Sequence, residues 1–228
     1  MTPRRALVAA FRRLAAAGLC PRTSGNVSVR AGDGFLITPT GMPADTVGAA
    51  DVVAMTIDGR ARGRRQPSSE WRLHRDLYAT RGDVGAVVHT HPPYATALAC
   101  LRRDIPAFHY LVAWGGGSSI RCARYATFGT DALSAAARKA LAGRKACLLA
   151  NHGAVAVGAD LPAAERLAAE VEALARTYVL ALAVGRPAIL DEAEMARNLD
   201  LFAGYGQPRP SPARTSSPGT SPRRRRRG

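Results

Sequence analysis

Apolar residues recur along this chain with two spacings, one suited to helices and one to strands. Leu7, Val8, Phe11, Leu14 and Ala15 fall on one helical face; Thr2 and Pro3 suit the start of that helix and Gly18 its end. Residues 26–30 and 34–38 flank the turn A-G-D-G and read as a hairpin, and 52–57 reads as a further strand ended by Asp58-Gly59. Ser68 or Ser69 can cap a helix running to about Arg81. A buried strand at 84–90 is stopped by Pro92 and Pro93 and followed by a helix over about 94–101. Residues 108–112 look extended, 115–119 (G-G-G-S-S) form a loop, and 120–122 suit a short strand. Thr130 caps a helix to about Leu141, strands at 146–150 and 154–157 follow, and helices cover 161–184 and 191–203. Strands interleaved with amphipathic helices predict an α/β fold, a mixed sheet in a three-layer α/β/α arrangement.

This pattern places chemistry at particular points. Residues i and i+2 of a strand point to one face, so His89 and His91 in V-V-H-T-H-P can hold one ion together. They close the 84–90 strand at its C-terminal end, where α/β folds bind ligands. His152, in N-H-G, follows the 146–150 strand, and Glu70 stands at the head of a helix. Three imidazoles with a carboxylate or open position is a catalytic zinc pattern. His74, four residues after Glu70, reads as a packed helix histidine rather than a fourth ligand, and His109 as structural.

The chain has 228 residues, enough for one domain of ordinary size. We assign 1–205 to a catalytic domain and 206–228 to a Pro/Ser/Arg-rich tail too polar to join a core and expected to be disordered. The net charge is +15, and the tail's seven arginines, with no acid, carry +7 of it. A run such as Arg223–Arg227 binds polyanions non-specifically at low salt, and no aromatic platform accompanies it. No apolar run reaches 18 residues. Cys20, Cys100, Cys122 and Cys147 show no pairing pattern and are expected reduced, in a cytoplasmic protein.

Three short segments can cradle an anion: Ser24-Gly25-Asn26, Thr38-Pro39-Thr40-Gly41 and Pro67-Ser68-Ser69-Glu70. Each joins hydroxyls or amides to a turn or a helix start, which is also ordinary turn and cap chemistry; their coincidence with the metal constellation is what gives them weight.

The blocks G-N-V-S-V-R (25–30), L-I-T-P-T-G (36–41), P-S-S-E-W-R (67–72), A-V-V-H-T-H (86–91), I-P-A-F-H-Y (105–110), Y-A-T-F-G-T (125–130) and N-H-G (151–153) occur in one order. Together, from about Leu14 to Tyr205, they resemble the class II aldolase/adducin family and, within it, the L-fuculose-1-phosphate aldolases. The resemblance implies a largely antiparallel central sheet, a homotetramer with sites between subunits, and zinc held by His89, His91 and His152. It implies that Glu70 ligates zinc at rest and acts as acid/base, that Tyr110 donates a proton across the subunit interface, and that phosphate lies among Gly25, Asn26, Thr40, Gly41, Ser68 and Ser69. The implied reaction is reversible cleavage of a ketose 1-phosphate to dihydroxyacetone phosphate and a small aldehyde. Neither Lys139 nor Lys145 is placed to form a Schiff base, so a metal is expected to stabilise the developing charge. Sugar-phosphate epimerases, methylthioribulose-phosphate dehydratases and decarboxylases share the H-x-H metal, and a non-catalytic adducin-like role is the alternative of another class. The chain departs from the family after Tyr205, where Pro208 and Arg209 open the long extension.

Overall fold

The computed structural model describes residues 1–205; the expectations for the tail, 206–228, lie outside the described residues. One eight-stranded sheet forms the middle layer, in the order β4-β3-β2-β1-β5-β8-β7-β6. Its strands are β1 (Asn26–Ala31), β2 (Gly34–Ile37), β3 (Val53–Thr56), β4 (Ala61–Arg62), β5 (Ala86–Thr90), β6 (Arg121–Ala123), β7 (Ala146–Leu149) and β8 (Gly153–Gly158). Only β6 and β7 pair in parallel, so the sheet is mixed and largely antiparallel.

Helices cover both faces. On one side α1 (Pro3–Ala16), α3 (Pro93–Cys100) and α5 (Leu161–Val184) share a core with Val27, Val88, Leu148 and Ala156. On the other, α2 (Trp71–Thr80) and α4 (Asp131–Ala140) pack Leu73, Leu77, Leu133 and Ala137 against Val87, Cys147 and Val155. Alternate strand residues thus enter opposite cores, as the two-residue period requires. β5 lies near the centre of the sheet with every residue buried, which is why its sequence reads as an unbroken apolar run. A sixth helix, α6 (Glu192–Ala203), is capped by Asp191, whose side chain accepts from the Glu194 N–H.

Two local expectations are corrected, and one strand is added. Residues 108–112 are not extended beyond His109: a 3-10 helix runs from Tyr110 to Gly115, and the His109 ring nitrogen accepts from the Leu111 N–H. Gly116, at φ 91, ends that turn in a left-handed conformation open to glycine. The helix after Pro67 begins later than its serines suggest. Glu70 occupies the N-cap position of α2, while Ser68 Oγ accepts from the Glu70 N–H at 3.3 Å in the turn before it. β4, two exposed residues at the sheet edge, has no apolar alternation to announce it.

Candidate metal centre and substrate cavity

The centre is assembled from three elements. In the β1–β5 register Asn26 lies opposite His89, and in the β5–β8 register His89 lies opposite Val155. This puts His89 on the α2 side of the sheet, where Glu70 begins its helix. His91 follows β5, its N–H donating to the Leu19 carbonyl at 2.9 Å. His152 sits in the tight turn between β7 and β8, where Asn151 takes φ 54.

Two glycines are sterically required here. A Cβ on Gly153 would lie 2.3 Å from the Thr90 carbonyl oxygen and 3.1 Å from the His91 ring. Gly25, at φ +75, would place a Cβ 2.9 Å from the His89 carbonyl oxygen and 2.5 Å from Cys20 Sγ. Gly153→Ala is therefore expected to destabilise the fold by about 1–3 kcal/mol through overpacking, to lower the thermal midpoint by roughly 2–4 °C per kcal/mol, and to weaken metal retention by displacing His91. Thermal unfolding with and without added zinc checks this; an unchanged midpoint and zinc shift would show that the turn yields freely.

His89, fully buried, donates from Nδ1 to the Ala154 carbonyl at 2.9 Å, which turns Nε2 toward the centre. That Nε2 lies 3.0 Å from Glu70 Oε2 and 2.8 Å from His91 Nε2; His152 Nε2 is 3.4 Å from Glu70 Oε1. The three rings stand edge to face with centroids 4.7–4.8 Å apart. One donor atom from each of Glu70, His89, His91 and His152 lies within 4.8 Å of all the others.

These residues fit a metal. In a tetrahedral zinc site the donors stand about 3.3 Å apart, close to the separations seen. Glu70 Oε1 is buried and accepts no hydrogen bond. Burial pushes His91 down to about 3 and His152 down to about 4, with the His89 charge adding to both, so both present lone pairs. Burial alone would lift the Glu70 carboxyl; the His89 charge and hydrogen bond, with smaller contributions from His152 and Asn26, hold it well below the usual carboxylate range. Burial lowers His89 too, but the facing Glu70 carboxylate raises it overall. His89 would give up its Nε2 proton as the ion binds, leaving one carboxylate and three neutral imidazoles converging on one point, the state in which such groups hold a divalent cation.

The cluster opens into a cavity of about 330 Å³. Gly25, Asn26, Thr40, Gly41, Ser68 and Ser69, the residues expected to hold phosphate, all line it, together with Glu70, His91 and His152. Tyr125 and Phe128, exposed aromatics with no role assigned from the sequence, stand at its mouth; they belong to the Y-A-T-F-G-T block, the one signal that could have found them. Asn26 is more committed than expected. Its side-chain nitrogen donates to Glu70 Oε2 at 3.0 Å, and its oxygen lies 2.5 Å from His74 Nε2. His74, fully buried, stays outside the metal cluster, as its helix position suggests.

Tyr110 is not among the residues lining this cavity. It is half-exposed, stacked on the His109 ring at 4.8 Å and parallel to Phe202 at 6.1 Å, on a separate apolar face with Trp114 and Tyr205. Tyr205 is 82 % exposed, its ring edge-to-face with Phe202 at 5.9 Å.

Residues 5–179 match the model of the class II aldolase and adducin N-terminal domain family. The chain belongs to the class II aldolase and adducin family. It is 54% identical over 203 residues to a 5-methylthioribulose-1-phosphate/5-deoxyribulose-1-phosphate aldolase of Rhodospirillum rubrum, covering 89% of this chain and 92% of that one. It is 47% identical over 190 residues to the L-fuculose phosphate aldolase of Escherichia coli, covering 83% and 88%. Among solved structures, an L-fuculose 1-phosphate aldolase superposes with a TM-score of 0.85 at 40% identity, covering 88% of this chain and 95% of that one. This family membership and the sheet described above agree with the fold the sequence implied. No helix among the described residues is long and apolar enough to cross a membrane.

Proposed function

We propose that this chain is a metal-dependent aldolase that reversibly cleaves a ketose 1-phosphate to dihydroxyacetone phosphate and a small aldehyde. The observation that carries this reading is the junction of the Glu70–His89–His91–His152 cluster with a cavity lined by hydroxyls and turn amides. His89, His91, His152 and Glu70 would hold the ion, and the nitrogen-rich donor set favours zinc. When bound, the ion supplies Lewis-acid stabilisation of the negative charge that develops as the carbon–carbon bond breaks.

The chain's own groups supply the rest. Ser68, Ser69, Thr40, Gly41, Gly25 and Asn26 anchor the phosphate and so fix the sugar carbons relative to Glu70. Cleavage breaks the C3–C4 bond, removes the proton of the C4 hydroxyl and returns one to C3. Glu70 carries the carbon-bound proton, and Tyr110 of a neighbouring subunit handles the proton at the aldehyde oxygen. The position of Tyr110 away from its own cavity, on an exposed apolar face, supports that assignment and a homotetramer with sites between subunits. The cytoplasm is the expected compartment.

The first substrates to test are 5-deoxyribulose 1-phosphate and 5-methylthioribulose 1-phosphate, for which the 54%-identical relative is named, beside L-fuculose 1-phosphate. Tyr125 and Phe128 at the cavity mouth suit an aldehyde with an apolar end. Zinc-loaded protein is expected to release dihydroxyacetone phosphate from at least one of the three, measured by coupled reduction with glycerol-3-phosphate dehydrogenase. Epimerised or dehydrated product in its place would move the reaction to another member of the family. Loss of both turnover and zinc binding would favour an adducin-like interaction role.

A further inference from the structure

Behind the centre, a line of buried polar side chains runs away from the metal. Glu70, His74 and Tyr78 are spaced four residues apart along α2 and its N-cap, so they share one helix face. Asn26 and Ser28 are spaced two apart on β1 and share one strand face. Four helical residues rise about 6 Å and two strand residues about 6.6 Å, so the two rows mesh with little drift. The result is continuous. Tyr78 OH lies 2.7 Å from Ser28 Oγ, Ser28 Oγ lies 2.6 Å from His74 Nδ1, His74 Nε2 lies 2.5 Å from Asn26 Oδ1, and Asn26 Nδ2 donates to Glu70 Oε2 at 3.0 Å. Ser28 and His74 are fully buried, and Asn26 and Tyr78 nearly so.

We propose that Tyr78, Ser28, His74 and Asn26 are positioning residues forming a one-way chain of hydrogen-bond donors that ends on Glu70 Oε2. The inference rests on the aldolase reading for its consequence, but its direction follows from chemistry within the protein. Glu70 in its ionised form can only accept, so Asn26 must turn its amide nitrogen to Glu70 and its oxygen to His74. That oxygen accepts, so His74 carries its proton on Nε2 and presents Nδ1 as acceptor. Ser28 donates to Nδ1 and has a lone pair left for the Tyr78 hydroxyl proton. Every member is used as it can be used, and no buried proton or lone pair in the row opposes its neighbour. Burial, aided by the His89 charge, pushes His74 down to about 3, so the imidazole keeps the single proton this direction needs. The chain fixes which carboxylate oxygen is occupied: Oε2 receives the Asn26 amide, and Oε1, which accepts no hydrogen bond, is left facing the His152 side of the centre.

The reverse direction is a distinct, detectable state. With the proton on Nδ1, His74 would donate to Ser28, Asn26 would flip, and its oxygen would face the carboxylate. Two-bond nitrogen–proton correlations on zinc-saturated protein labelled at histidine nitrogen report the tautomer directly. His74 is expected as the neutral Nε2–H form; the Nδ1–H form would overturn the proposal. In zinc-saturated protein, His74→Leu is expected to lower deuterium exchange into dihydroxyacetone phosphate roughly 10–100-fold in kcat, with KM little changed. His74→Gln, whose amide nitrogen reaches the Nε2 position, should recover most of that loss. Ser28→Ala, a small change that leaves the histidine without its donor, should fall between them and keeps the test open should His74→Leu fail to fold. A folded variant pair at the wild-type rate, or His74→Gln no better than His74→Leu, would show that the row only packs. If wild-type protein exchanges no deuterium, the aldolase reading fails, while the tautomer still decides the direction of the chain.

Discussion

Replacing His152 by alanine is expected to remove the metal and the aldol cleavage together. His152 Nε2 stands 3.4 Å from Glu70 Oε1 at the open side of the cluster, and its ring borders the cavity. Without it, His89, His91 and Glu70 still converge, but one neutral nitrogen donor is gone. Loss even of a group behind the ligands typically weakens metal binding about 10–100-fold, so loss of a ligand should exceed that range. His89→Ala should do the same, with an added cost in stability. His89 is fully buried with the other two rings packed against it, so truncation would open a cavity and remove the hydrogen bond from its Nδ1 to the Ala154 carbonyl. The two variants therefore separate metal loss from unfolding. Both should elute from gel filtration with far less than one zinc per subunit by elemental analysis, and only His89→Ala should melt well below the metal-free wild type. Since a ligand bound only by the native state stabilises it by mass action, chelation should lower the wild-type midpoint and leave that of His152→Ala unmoved. Full turnover of thoroughly demetallated wild type, with no metal returned, would sink the metal role.

How much of this was legible in the sequence depends on the range over which each feature is set. Local periods gave most elements. The 84–90 run reads as a central strand because helices bury both of its faces, and the two-residue period alone aligns His89 with His91. N-H-G reads as a tight turn, although the reason for its glycine, the approach of the Thr90 carbonyl, arises only in the folded chain. The segment after His109 misled because Y-L-V-A-W is as apolar as a strand; the Leu111 N–H bonded to the His109 ring, and the glycines that follow, turn it into a 3-10 helix instead. The Asn26–His74–Ser28 contacts join residues 46 and 48 positions apart through the docking of α2 on β1, which no local pattern encodes. For the same reason the helix spacing of Glu70 and His74 was visible, while the task of His74 was not. The isolation of Tyr110 from its own cavity is likewise a property of the folded chain.

The substitution Glu70→Gln should separate metal binding from proton transfer. Three imidazoles remain to hold the ion, and the glutamine carbonyl oxygen can still accept from Asn26 Nδ2, so the side chain keeps its place at the head of α2. What the amide cannot do is take and return a proton at carbon. General acid–base groups contribute about 10²–10⁴-fold, and exchange of deuterium from solvent into dihydroxyacetone phosphate isolates that step because no aldehyde is required. Glu70→Gln is therefore expected to retain close to one zinc per subunit, to bind dihydroxyacetone phosphate within a few-fold of wild type, and to lose exchange by about 10²–10⁴-fold. Cleavage should fall with it, since breaking the C3–C4 bond leaves a carbon that must be protonated before product departs. Tyr110→Phe supplies the contrast. Its proposed proton goes to the aldehyde oxygen, so cleavage should slow while exchange into dihydroxyacetone phosphate stays near the wild-type rate. Near-wild-type exchange by a metal-loaded Glu70→Gln protein would place the base elsewhere. Equal loss of exchange in both variants would remove the division of labour between the two residues.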